Sequence, residues 1–155
     1  MTKYLREIGG ISMLLKRLFC SRKKAGAPDN RIIYDHTYTH SSGFRGFKRI
    51  ALTTYKDSAV NSGIRALKRL NPNSDPFCAN WRNVRLVVGI NNTWATTPVR
   101  YMDVFVDGCI VGRYFDYDHD DIIDYISSNM IDKVHVEIED LGEKYRSRLF
   151  VHIAE

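Results

Sequence analysis

The sequence predicts an α+β fold with a mainly antiparallel curled sheet or small open barrel and two or three short helices. Three observations support this class. Short runs rich in β-branched and aromatic residues alternate with turns, an Asp-Gly pair at 107–108 joins two such runs, and few segments have helical periodicity. Antiparallel strands combined with few helices are typical of α+β domains.

The length and composition fit a basic N-terminal arm, made of a helix and a linker, over residues 1–30 and a single α+β domain over residues 31–155. Residues 4–19 can place apolar side chains on one helical stripe, which Gly9 and Gly10 weaken. Three alternatives stay open for this helix: docking on its own domain, lying on a membrane or partner, and disorder. Membrane contact is expected less than docking on the domain, and it would be through an amphipathic helix at the surface, since no apolar run is long enough to cross a bilayer.

The first part of the domain contains two strands and a helix. Residues 31–39 and 47–55 are rich in β-branched and aromatic residues, which favours strands. Between them, residues 40–46 contain glycines and serines that indicate a turn. Asp57 or Ser58 can cap a helix that ends near Leu70, where Asn71 and Pro72 stop it.

The second part contains further strands around one short helix. Residues 84–90 form an apolar strand, and residues 100–106 and 109–115 form a hairpin around the Asp-Gly pair. A short helix is expected over residues 120–130. Alternation of apolar and polar residues predicts strands at 133–139 and 149–153, with a turn between them.

The charges are sorted along the chain. Residues 1–49 have a net charge of +8, residues 50–100 a net charge of +5, and residues 101–155 a net charge of −8. A basic surface attracts phosphate polyanions, so the first two-thirds predict a nucleic-acid partner. The acidic third either pairs with the basic part, holds a cation or remains solvated.

The segment 43–49 (GFRGFKR) interleaves aromatic and cationic side chains, a pattern that suits single-stranded DNA or RNA. Bases stack on rings while cations contact phosphates. The expected stacking residues are Phe44, Phe47 and Trp94, and the expected phosphate contacts are Arg45, Lys48, Arg49, Arg65, Lys68, Arg69 and Arg82. Tyr34, Tyr38 and Trp81 would extend this surface. In the alternative interpretation, Phe44 and Phe47 enter the core and the charges only solubilise the protein.

No cofactor, catalytic residue or metal ligand is predicted. The three cysteines show no metal-binding spacing and indicate a reducing cytoplasm. Asp35, His36 and His40 lie too far apart along a strand to share a metal. The acidic run 116–124 lacks an EF-hand pattern and suits helix capping, although a small metal-dependent nuclease remains the second alternative. The first alternative is a phage or bacterial inhibitor or adaptor that binds a protein through its acidic C-terminal segments.

The order of elements from residue 84 onward carries a family resemblance. An apolar strand ends in Gly89, and the following hairpin, helix and two strands, with Val104, Val106, Gly108, Val111 and Gly112 in the hairpin, resemble the HIRAN-type module. That module is a small β-barrel found alone or attached to DNA helicases. The resemblance covers residues 84–154 and implies an OB-like barrel that binds single-stranded DNA. Residues 97–102 depart from the family's segment before the hairpin, so no pocket residues are carried over.

Overall fold

The computed structural model describes residues 31–54, 56–71, 81–91 and 98–155. The predicted N-terminal helix and Trp94 lie outside the described residues. The elements in chain order are β1 (Arg31–Thr39), β2 (Lys48–Leu52), α1 (Ser58–Leu70), β3 (Asn83–Asn91), β4 (Val99–Val106), β5 (Cys109–Asp116), α2 (Ile122–Ser127), β6 (Ile131–Asp140) and β7 (Tyr145–Ile153). Neither helix in this part of the chain is long and apolar enough to cross a membrane.

The strands form two antiparallel sheets, which confirms the predicted α+β class. One sheet has the order β1-β3-β4-β5 and the other has the order β2-β7-β6. The prediction of one curled sheet is corrected: within the described residues the strands make two sheets and no closed barrel. Isolated bridges connect the edge strands of the two sheets, at His40 with Val134 and at Thr53 with Arg113.

A single hydrophobic core draws side chains from both sheets and both helices. Alternation along each strand directs every second side chain inward, as in Val134, Val136 and Ile138 of β6. Two of the residues expected to extend a binding surface belong to this core instead. Tyr38 and Trp81 are each only 6% exposed.

Helix α1 has the predicted cap and the predicted apolar side. The Asp57 carboxylate accepts hydrogen bonds from the backbone N–H groups of Ala59 and Val60, each at 3.1 Å. Val60, Ile64 and Leu67 are buried. The helix packs against β5 so closely that a Cβ atom on Gly63 would lie 2.1 Å from the Ile110 carbonyl oxygen. Only glycine fits at this contact.

The predicted hairpin at 107–108 is confirmed. Val106 pairs with Cys109, which leaves a two-residue loop, and Asp107 and Gly108 have φ values of 47° and 83°. Two successive positive φ values are the requirement of a type I′ turn. The Asp107 carboxylate also accepts backbone hydrogen bonds from the start of β3, so the turn is fixed to the neighbouring strand.

Other element boundaries differ from the predictions. Helix α2 is shorter than the expected 120–130, because Asn129 has a φ of 55° and ends it. Strand β2 covers only Lys48–Leu52, whereas β6 and β7 extend further than predicted. Strand pairing in the final hairpin explains the added length, since Asp140 pairs with Tyr145 at its closed end.

Candidate nucleic-acid interface

A tight turn between β1 and β2 positions the aromatic and cationic segment that the sequence singled out. The Phe47 N–H donates to the Phe44 carbonyl oxygen at 3.0 Å, and Gly46 has a φ of +80°. A four-residue turn with a positive φ at its third residue strongly favours glycine there. The turn leaves Arg45 exposed at its tip, and the two phenylalanines flank it.

Both phenylalanine rings lie over the outer side of the three-stranded sheet. Phe44 stacks on Phe150 at 4.3 Å between ring centroids and lies 4.9 Å from His135, and Phe47 lies 5.3 Å from His152. We call these five residues the aromatic face. Phe44 is 41% exposed, so it covers the sheet and still presents a ring to solvent. The alternative in which Phe44 enters the core is therefore wrong.

Two stacked histidines lie beneath this covering ring. The imidazoles of His40 and His135 are 4.7 Å apart between centroids. The His135 Nδ1 lies 2.9 Å from the Ser41 carbonyl oxygen, which can only accept, so Nδ1 carries a proton. Burial and the neighbouring His135 lower the pKa of His40, which keeps it neutral near neutral pH.

Two arginines lie beside the aromatic face, and the backbone of a third is bonded to His40. Arg45 lies in the turn, Arg49 is the cross-strand neighbour of Phe150, and the Arg82 carbonyl oxygen accepts from the His40 N–H at 3.4 Å. All three residues are exposed. Within the described part of the chain, none of them forms an ion pair with a carboxylate. No carboxylate of the described residues therefore neutralises their charges.

The structure does not bring the remaining predicted phosphate contacts to this face. Lys48 lies on the other side of β2 from Arg49 and forms an ion pair with Asp120 at 3.7 Å. The cations of α1 line a separate groove with Tyr145; they are Arg65, Lys68 and Arg69. Tyr145 precedes Phe150 by five residues on β7, which corresponds to about 17 Å along a strand. The predicted set thus divides into two groups of three, and Lys48 belongs to neither.

Much of the charge sorting is resolved by pairing within the fold. Arg148 bridges Glu137 and Glu139 at 3.2 Å each across the outer side of the three-stranded sheet. Arg85 holds Asp35 through two hydrogen bonds of 2.8 and 2.6 Å. Each of these two sets lies within one part of the chain and leaves the net charge of that part unchanged. The ion pairs that join the basic to the acidic part are Lys48 with Asp120, Lys68 with Asp140, and Arg100 with Asp116 and Asp124.

Asp116 and Asp124 of the acidic run 116–124 make contacts within the fold. Asp116, whose side chain is fully buried, accepts from Arg100 and from the Asp120 N–H at 2.7 Å. Asp124 pairs with the same arginine. Asp35 and His36 lie on β1, and His40 follows its last residue. Within the described residues no group of three or more His, Cys, Asp or Glu side chains has the geometry to hold a metal ion.

Sequence reasoning missed the residues that support the exposed ring. His135, Phe150 and His152 lie on the polar side of alternating strands, where a phenylalanine is unusual, and that was the available signal. Their alignment under Phe44 depends on the β2-β7-β6 strand order, which the sequence pattern does not specify.

Comparison with known proteins gave no match: no family model, curated protein or solved structure is significantly similar to the chain.

Proposed function

We propose that this protein is a non-catalytic binding protein for single-stranded DNA or RNA and that the aromatic face is its binding surface. The observation that carries the proposal is the partly exposed Phe44 ring, held by stacking on Phe150 and His135. A ring that is already fixed in place loses little conformational freedom when a base stacks on it. Stacking of this kind contributes about 1–3 kcal/mol per base.

The arginines around this ring supply the phosphate contacts. Arg45 lies next to Phe44 in the turn, and Arg49 pairs with Phe150 across the sheet. The backbone of Arg82 is bonded to that of His40, whose ring stacks on His135. A strand of nucleic acid places charged phosphates on one side and flat bases on the other. An arrangement of one ring with cations on several sides suits that polymer better than it suits an uncharged peptide.

Paired variants test the electrostatic part of this proposal. We expect Arg45→Gln with Arg49→Gln to weaken binding of a labelled single-stranded oligonucleotide in a fluorescence anisotropy assay. The slope of log K against log salt should fall by about 1.4, since each lost phosphate contact on a single strand contributes about 0.7. The matched control is Arg31→Gln with Lys144→Gln, which removes the same charge elsewhere. Equal slopes for the two double variants would contradict the proposed surface.

The alternatives from the sequence receive less support from the geometry. A protein-binding acidic surface would need free carboxylates. Glu137, Glu139 and Asp140 are paired with Arg148, Arg146 and Lys68, so within the described residues this surface would depend on the exposed Asp118, Asp121 and Glu143. A metal-dependent nuclease would need Asp116, whose carboxylate is already bonded to Arg100. Cleavage of the same oligonucleotides in Mg²⁺ or Mn²⁺, lost on Asp118→Asn, would favour the nuclease instead.

The resemblance to HIRAN-type modules remains a prediction. Three of its residues, Val104, Val106 and Val111, are fully buried, and Gly108 occupies the positive-φ position of the hairpin turn. Any tight hairpin above a core requires such residues. The proposed function therefore depends on the aromatic face and not on this resemblance.

A further inference from the structure

A groove between α1 and the start of β7 forms a second cationic site, separate from the aromatic face. Arg65, Lys68, Arg69 and Tyr145 line it, and its volume is about 320 Å³. This volume lies at the lower end of the range for small-molecule sites, about 300–1,000 Å³. The three cations occupy positions i, i+3 and i+4 of the helix, so they share one side of it.

The fold accounts for only part of the charge in this groove. Lys68 is bonded to Asp140, but neither Arg65 nor Arg69 forms an ion pair with a carboxylate in the described part of the chain. Like charges four residues apart in a helix are destabilising. Cations in the last turn favour the helix dipole, which accounts for Lys68 and Arg69. Arg65 lies one turn earlier, where the dipole gives no such benefit.

The aromatic wall of the groove is fixed in position. The backbone of Tyr145 pairs with Asp140 in the β6-β7 hairpin, and its carbonyl oxygen accepts from the buried Thr54 hydroxyl at 2.6 Å. The ring is half-buried, so part of it remains accessible. A flat ring beside two guanidinium groups can stack with a base while the guanidinium forks bind phosphate oxygens in pairs.

We infer that this groove binds a phosphate monoester joined through a sugar to a base, with Arg65 and Arg69 on the phosphate and Tyr145 against the base. The ligand is either a free nucleoside monophosphate or the 5′-phosphate end of a nucleic-acid strand. Both present the same chemistry to the groove. The inference does not depend on the aromatic face, because the two sites share no residue.

Calorimetric titration of the full chain with AMP, GMP and UMP tests the groove directly. We expect saturable binding of at least one nucleotide tighter than about 1 mM. Arg65→Gln with Arg69→Gln should weaken it at least about tenfold, since hydrogen bonds to charged groups are among the stronger ones. The charge-matched control Arg31→Gln with Lys144→Gln, at residues that belong to neither site, should bind as the native chain does. No binding of any nucleotide, or equal weakening by both double variants, would overturn the inference.

Two further comparisons separate the parts of the ligand. Inorganic phosphate should bind the native chain more weakly than the nucleotide does, and Tyr145→Leu should remove this difference in affinity. If phosphate bound the native chain as tightly as the nucleotide, the role of the Tyr145 ring would be contradicted. A gain in affinity for 5′-phosphorylated over unphosphorylated oligonucleotides, lost in the Arg65/Arg69 variant, would identify the strand end as the ligand. Nucleotide binding without that gain would identify the free nucleotide. Thermal unfolding checks that each variant folds.

Discussion

Substitution of Gly63 by alanine has two opposite effects on the free energy of unfolding, and their sizes can be compared. Alanine is favoured over glycine inside a helix by about 0.8–1.0 kcal/mol. At this position, however, the new Cβ would lie 2.1 Å from the Ile110 carbonyl oxygen, about 1.3 Å inside the shortest ordinary contact. The obstacle is backbone, so α1 or β5 has to move.

Overpacking of this kind costs about 1–3 kcal/mol, and a backbone obstacle favours the upper part of that range. The clash therefore outweighs the gain in helix propensity. We expect Gly63→Ala to lower the free energy of unfolding by about 2 kcal/mol, which corresponds to a fall in Tm of about 4–8 °C for a chain of this size.

Urea and thermal unfolding followed by circular dichroism measure this change. The neighbouring exposed position provides the matched control, because Ser62→Ala adds the same helix-favouring residue without a clash. We expect that variant to be as stable as the native chain or slightly more stable. If Gly63→Ala were as stable as Ser62→Ala, the close packing of α1 on β5 would be wrong. The position of the groove residues on α1 would then be wrong as well.

Three further perturbations test the contacts around the two sites. Asp57→Ala removes the cap of α1 and should cost about 1 kcal/mol in urea unfolding, with native stability counting against the cap. Arg100→Leu leaves the buried carboxylate of Asp116 without its cation and should lower the free energy of unfolding by about 3 kcal/mol. Asp116→Asn added to this variant should recover most of that loss, whereas a small initial loss would show that the carboxylate is hydrated. The pKa of His40 is lowered in the folded state, so the unfolded chain binds more protons at acidic pH. The free energy of unfolding should therefore fall as pH drops below about 6.5, and His40→Gln should flatten this fall. An unaltered pH profile in the variant would contradict this role of His40.

Local patterns predicted much of the fold. The cap at Asp57, the apolar side of α1 and the turn at 107–108 depend on residues close in sequence, and their chemistry allows few other conformations. The outward side of β6 was also predicted from alternation. These features require no knowledge of which strands are neighbours.

The candidate site was only partly predictable, because it depends on long-range pairing. Segment 43–49 was identified from its composition, but its support comes from His135 and Phe150, which approach it only through the order β2-β7-β6. The same pairing separates the predicted phosphate contacts, turning Lys48 away and leaving Arg65 at a different groove. Tyr38 and Trp81 are buried for a related reason: aromatic side chains suit a core as well as a binding surface, and composition alone does not distinguish the two.

The most direct test of the central claim is fluorescence anisotropy of the native chain and Phe44→Leu with labelled single-stranded DNA, RNA and duplex DNA at about 50–300 mM salt. We predict that the native chain prefers single strands. Loss of one stacked base should weaken single-strand binding by about 5- to 150-fold in Phe44→Leu, with the salt slope unchanged because the ring carries no charge. Equal affinity of Phe44→Leu and the native chain, or equal affinity for duplex and single strands, would contradict the proposed aromatic face.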